Sequence, residues 1–201
     1  LGKPVVLVLF AGRPLTLNWE QANVPAILDV WFGGSEAGYS IPDVLFGDVN
    51  PSGKLTTTFP QNVGQIPIYY NHKNTGRPLP EGKWFQKFRS NYLDVSNDPL
   101  YPFGYGLSYT TFEYGKLKVS SDKLKGAQTL TASIEVKNTG KVDGKEIVQL
   151  YIRDMVGTVT RPVKELKGFQ KVMIKAGETK TIEFKITPED HFINWQQDPF
   201  G

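Results

Sequence analysis

Apolar residues are distributed along this chain in two different ways, and the pattern changes near Phe112. Upstream they form short unbroken runs. Residues 5–10 read VVLVLF, a β-branched and aromatic run of the kind found in strands covered on both faces, which is typical of parallel sheets. Residues 25–32 form a second such strand, with a short helical candidate at 15–22 between the two. The second run stops at Gly33 and Gly34, where glycine tolerates the positive φ of a sharp strand-to-helix turn. Ser35 is placed to be an N-cap, and Glu36 in the first turn would face the unpaired amides at the positive end of the helix. Ala37, Ile41, Val44 and Leu45 recur at helical spacing and predict a helix over 36–46. Pro42 predicts a kink or an early end to it. Gly47 and the turn-forming residues 50–53 stop the helix, and 54–59 resumes as an extended segment ending at Pro60. Strand, helix, strand, helix in that order implies a layered α/β sheet. Two or three strands make a poor sheet, so the expectation is the tail of a larger α/β domain.

Between residues 61 and 111 the periodicity lapses, and Pro67, Gly76, Pro78, Pro80, Pro99 and Pro102 punctuate the chain. Phe85, Phe88, Tyr92, Tyr101, Phe103 and Tyr105 supply apolar area that argues for order. The stretch reads as a packed connector. Its sharper reading is the rim of a sugar site, carried by His72, Lys73, Asn74, Arg77 and Trp84, because sugars are held by aromatic platforms together with hydrogen-bonding side chains. From Phe112 onward the runs alternate with period two, at 112–120, 129–137, 146–153, 166–174 and 179–186, with turns at 138–140 and 175–178. Leu130, Ala132, Ile134 and Val136 share one face, and Ile147, Leu150, Ile152, Phe184 and Ile186 are expected to meet them. An immunoglobulin-like sandwich has about seven strands; five are clear here, with a weak sixth near Phe192 before the tail NWQQDPFG. The expected division is an α/β sandwich tail at 1–60, an aromatic-rich connector at 61–111 and an all-β fibronectin type III-like sandwich at 112–201, the last truncated.

Composition narrows the function classes. At 201 residues and 39% hydrophobic content the chain can bury a core as one domain or two modest ones. A net charge of +3, with both signs mixed along the sequence, implies neither nucleic acid nor a membrane as partner. No apolar run approaches the roughly 18 residues of a membrane span. The absence of cysteine excludes a disulfide scaffold, thiol catalysis and cysteine-bound zinc. Two histidines, His72 and His191, are too few and too far apart to suggest a metal site. No cofactor is expected. The opening LGKP has no initiator methionine and no signal-peptide pattern, and reads as a start in mid-protein.

KPVVLVLFAGRPL, GGSEAG, DVLFGDVNPSGKL, GQIPIYYNHKNTGRP, YPFGYGLSYTTF, RPVKELKGF and KAGET occur in that order. Together they resemble the C-terminal half of a glycoside hydrolase family 3 β-glucosidase of the bacterial periplasmic type. The resemblance implies a (β/α) barrel and most of an α/β domain ahead of this chain, as missing partners, and a fibronectin type III-like domain at its end. It also implies a parent that hydrolyses terminal β-D-glucosyl residues in the periplasm or outside the cell, with a β-glucoside or oligosaccharide as substrate. A homodimer is compatible with it. The family's nucleophilic aspartate lies in the barrel and its acid/base glutamate upstream of the KPVVLV strand, so neither matches a position here, and no catalytic residue is expected in the chain. The chain's own residues agree. A retaining glycosidase holds two carboxyl groups about 5 Å apart, whereas Glu36, Asp43, Asp48, Asp94 and Asp98 are scattered through turns, and Glu36 suits a helix cap better. GGSEAG is not a nucleophile elbow, and Gly33, Gly34 and Gly38 do not make GxGxxG. Two further readings stand beside this one, a carbohydrate-binding module built on the aromatic loop and a sandwich domain that mediates assembly.

Overall fold

The two apolar runs at the start of the chain pair as parallel strands. A computed structural model describes residues 2–123, 127–157 and 159–191. In it β1 (Val6–Leu9) lies beside β2 (Ala26–Asp29), with Val6 opposite Ala26 and Leu9 opposite Asp29. Cover on both faces, which the unbroken runs led us to expect, is absent among the described residues, where Val5, Val6 and Phe10 stay exposed. Burying both faces takes a layer on each side of the sheet, and the described residues contribute only two strands to it. Between them α1 (Asn18–Asn23) is shorter than the helix expected at 15–22. Its start is set by Leu17, which is buried at the N-cap and accepts the Gln21 N–H at 2.8 Å.

The turn after β2 corrects the expected cap. Helix α2 spans Ala37–Phe46, its N-cap is Glu36 and not Ser35, and no side chain bonds the first amides. Backbone does it instead: Gly34 sits at φ 64°, and its carbonyl accepts the Ala37 N–H at 3.3 Å. Glu36 contributes its main-chain oxygen to Tyr39, Ser40 and the Ser40 hydroxyl. Pro42 does not end the helix, which runs on for four residues and stops at Gly47 in the left-handed conformation. Residues 54–59 then run against 100–105. Leu55 N–H donates to Tyr105 O at 2.7 Å, Gly104 N–H to Leu55 O at 2.7 Å, and Phe59 N–H to Tyr101 O at 2.9 Å. Phe59 is buried between Trp31 and Tyr101, with ring centroids 5.9 and 6.1 Å away. Described residues 2–49, 54–106 and 159–163 form one compact unit, and 50–53, 107–157 and 164–191 form a second.

In the second unit the alternating runs form two antiparallel sheets. The central strand is β5 (Leu130–Asn138), paired along one edge with β8 (Thr179–Ile186) and along the other with β3 (Phe112–Tyr114) and β4 (Lys118–Val119). The strand expected at 112–120 is therefore two short ones, joined where Gly115 N–H donates to Glu135 O at 2.8 Å. The other sheet is β6 (Gly144–Ile152) with β7 (Glu165–Ile174). Val136, Val148, Ile174 and Ile182 make the core, with Phe112, Ile134, Val172 and Phe184 packed on it. One expected position on β6, Ile147, is corrected here. Gly144, Glu146 and Val148 are buried, so Val148 and not Ile147 faces the core. A buried glutamate masked that position; its Oε1 accepts the Tyr114 hydroxyl at 2.9 Å. The register then shifts at a bulge between Leu150 and Tyr151. Helix α3 (Pro188–His191) follows β8, and the weak strand expected near Phe192 and the tail after it lie outside the described residues.

Candidate functional site

The loop that carries the sequence-predicted sugar rim belongs to the first unit and is tied at its base by one buried side chain. Asn62 caps the 3-10 turn Val63–Gln65 by accepting the Gly64 N–H at 2.7 Å. Gln65 is 1% exposed. Its Oε1 accepts the N–H groups of Gln61 (2.7 Å) and Asn62 (3.1 Å), and its Nε2 donates to Ser96 O (2.8 Å) and Asp98 O (3.1 Å). Both ends of the excursion from 66 to 95 thus meet at Gln65. Inside it, Tyr70 stacks on Phe103 at 4.3 Å, and the Tyr92 hydroxyl donates to Gln65 O at 3.3 Å.

His72 and Lys73 stand in sequence at the start of the rim, with His72 Nδ1 3.3 Å from Lys73 O. The Thr75 and Ser90 hydroxyls are 2.6 Å apart, and Ser90 N–H donates to Arg77 O at 2.9 Å. Trp84 is 59% exposed and packs against Phe85 at 5.7 Å. Among the described residues no ring contact or hydrogen bond joins Trp84 to His72, Asn74 or Arg77, and the Asn74 and Arg77 side chains have no partner. Lys87 Nζ lies 5.0 Å from the Phe88 ring, and Phe88 holds φ 65°, a left-handed backbone costly for a bulky residue. Exposed amide, guanidinium and imidazole groups and an exposed indole on one loop have, group by group, the chemistry to meet sugar hydroxyls and a pyranose face. They contain no carboxylic acid, so the set has no group for acid/base cleavage.

The candidate carboxylates Glu36, Asp43, Asp48, Asp94 and Asp98 are all exposed. A different carboxylate is perturbed, and sequence reasoning passed over it. Asp29, at the end of β2, is held above its ordinary value by burial, partly offset by the Trp31 N–H that donates to its Oδ1 at 3.3 Å. Its Oδ2 is buried with no hydrogen-bond partner. Trp31 beside it has φ 48°, so strain and an orphaned oxygen meet at one turn. The available signal was a lone acid inside the apolar run AILDVWF. Tyr101, beneath Phe59, is also raised, by burial first and then by Tyr105. A second element missed from sequence is the segment 159–163 between β6 and β7, which joins the first unit at Lys73.

Known proteins match along this whole arrangement. The glycosyl hydrolase family 3 C-terminal domain matches residues 1–109, and a fibronectin type III-like domain matches residues 146–198. A periplasmic beta-glucosidase of Salmonella typhimurium is 54% identical over 188 residues, which is 94% of this chain and 24% of that protein. A beta-xylosidase of Formosa agariphila is 47% identical over 92% of this chain and 24% of its own length. Among solved structures, a beta-glucosidase from Listeria innocua in complex with isofagomine superposes with a TM-score of 0.89 at 47% identity, covering 97% of this chain and 27% of that one. The chain thus spans about a quarter of the length of the curated relatives it matches. Co-linear identity at this level, over an α/β unit followed by a sandwich, leaves one assignment: the chain belongs to glycosyl hydrolase family 3, of which it carries the C-terminal domain and the fibronectin type III-like domain.

Proposed function

We propose that this chain is part of a β-glucosidase that removes terminal β-D-glucosyl residues by a retaining, two-carboxylate mechanism, and that both catalytic carboxylates lie outside residues 1–201. The observation that carries the reading is the 54% identity, over 94% of the chain, to a protein named periplasmic beta-glucosidase. Within that protein the chain buttresses the catalytic domains, and His72, Asn74, Arg77 and Trp84 form part of the substrate rim. Support for the rim is chemical: three exposed polar side chains and an open indole face sit on a loop tied down at Gln65. The name of the Salmonella relative supports a periplasmic or secreted site of action.

A second reading, a β-xylosidase, draws on the 47% identity to the Formosa protein. Xylose lacks the hydroxymethyl group of glucose, and a difference of that size is discriminated by roughly 10- to 200-fold in a fitted pocket. The full-length protein should therefore hydrolyse an aryl β-glucoside with a kcat/KM at least about tenfold above that for the β-xyloside. The reverse preference would install the second reading, and no hydrolysis of either would remove both.

A further inference from the structure

The proposed rim is held from two sides by segments far apart in sequence. At 75–78 it is fastened to Ser90, through the Thr75 hydroxyl, the Arg77 carbonyl and a bridge at Pro78, and Asn97 Nδ2 in turn donates to Ser90 O at 2.8 Å. At 72–73 the partner is different. Lys73 forms an antiparallel bridge with Pro162, and Val163 N–H donates to His72 O at 2.9 Å. Pro162 and Val163 belong to the connection between β6 and β7, which groups with the first unit over 159–163. Proline has no N–H, so Val163 supplies the donor at this end of the bridge.

We propose that Pro162 and Val163 are a positioning strap for the sugar rim, which sets the affinity of the site through the backbone of His72 without contacting substrate. The inference rests on the rim reading above. A loop bearing exposed polar groups must be ordered before it can grip a ligand, and ordering done in advance by a backbone bond is not charged to binding. Loss of the bond should therefore weaken substrate binding and leave the chemical step alone.

The test uses the full-length protein and separates donor from side chain. Val163→Pro removes the N–H, and Val163→Ala keeps it. Val163→Pro should raise KM for a β-linked glucodisaccharide about threefold to tenfold, the range of one net hydrogen bond, with kcat within about twofold and faster amide exchange over 72–78. Val163→Ala should change neither. Pro162→Gly, which loosens the strap without deleting the donor, should move KM and exchange in the same direction by less, and it serves if Val163→Pro does not fold. Unchanged exchange over 72–78 in both strap variants would overturn the proposal. So would an effect of Val163→Ala equal to that of Val163→Pro, or faster exchange with unchanged KM in a protein whose KM responds to Trp84→Ala. A KM indifferent to Trp84→Ala and Arg77→Ala would overturn the rim reading itself and the strap's part in affinity, while exchange still decides whether the strap holds the loop.

Discussion

Asn138 is the residue on which the sandwich turns most directly. It is fully buried at the end of β5. Its Nδ2 donates to Val142 O (2.8 Å) and Ile174 O (3.0 Å), and its Oδ1 accepts from the Thr110 hydroxyl (2.6 Å) and Gly140 N–H (3.0 Å). One amide thereby ties the start of β3, the turn before β6 and the end of β7. Asn138→Leu would leave buried donors and acceptors without partners, so it should cost about 3 kcal/mol or more, read as a lower denaturant midpoint. Asp29 makes a different prediction, about pH. Its folded-state pKa lies above the ordinary 3.8, so in that window the folded state binds more protons than the unfolded one, and stability falls as pH rises from about 3.8 through the folded value. Asp29→Asn keeps an acceptor for the Trp31 N–H and removes the charge. It should be at least as stable as the parent at pH 7, with a flatter stability profile from pH 4 upward in denaturant titrations; a steeper profile would contradict the desolvation account.

At the scale of elements, the turn into α2 separates two reasons for a glycine. A Cβ on Gly34 would meet nothing within 4 Å, but its φ is 64°, so Gly34→Val is strained by backbone conformation alone, by about 1 to 3 kcal/mol. A Cβ on Gly33 would lie 2.6 Å from the Ala37 Cβ. Gly33→Ala should therefore destabilise by collision and be partly rescued by Ala37→Gly, while Gly34→Val should gain nothing from that second change. Midpoints of the two double mutants against their singles decide it. The helix itself was legible in the sequence because its apolar spacing and Gly47 are local signals. Its cap was not, because Ser35 looks like an N-cap by type, and only the path of the backbone through Gly34 shows that a carbonyl has taken the amide.

For the whole molecule, the expected behaviour is binding without turnover. Glycoside cleavage of this kind takes two carboxyl groups with separated pKa values at a fixed distance, and the residues proposed for the rim supply none. The purified 201-residue chain should leave an aryl β-glucoside intact. Turnover that disappeared in Glu36→Gln would show that the acid/base group had been placed wrongly.

What the sequence by itself determined is the set of features encoded by neighbours: runs of period two, helical spacing, turn residues, and the ordered motifs that mark the family. β5, β7 and β8 fall within a residue or so of their expected bounds for this reason, because alternation along one strand records which face is wet. Leu150 and Ile152 were expected on the parity that Val148 shows, and only Ile147 was misplaced, since Glu146 looks like a surface residue until Tyr114, from another strand, is found bonded to it. The perturbed carboxylate at Asp29 was hidden for a different reason: burial raises it, and burial is decided by what packs around the strand end. Nor could spacing show that Val163 meets His72 or that Gln65 gathers four partners from 61–62 and 96–98. Apart from the local bonds of Gln65 to 61–62, those contacts join residues distant along the chain and leave no period in it, and only the folded backbone brings their donors and acceptors within hydrogen-bonding distance.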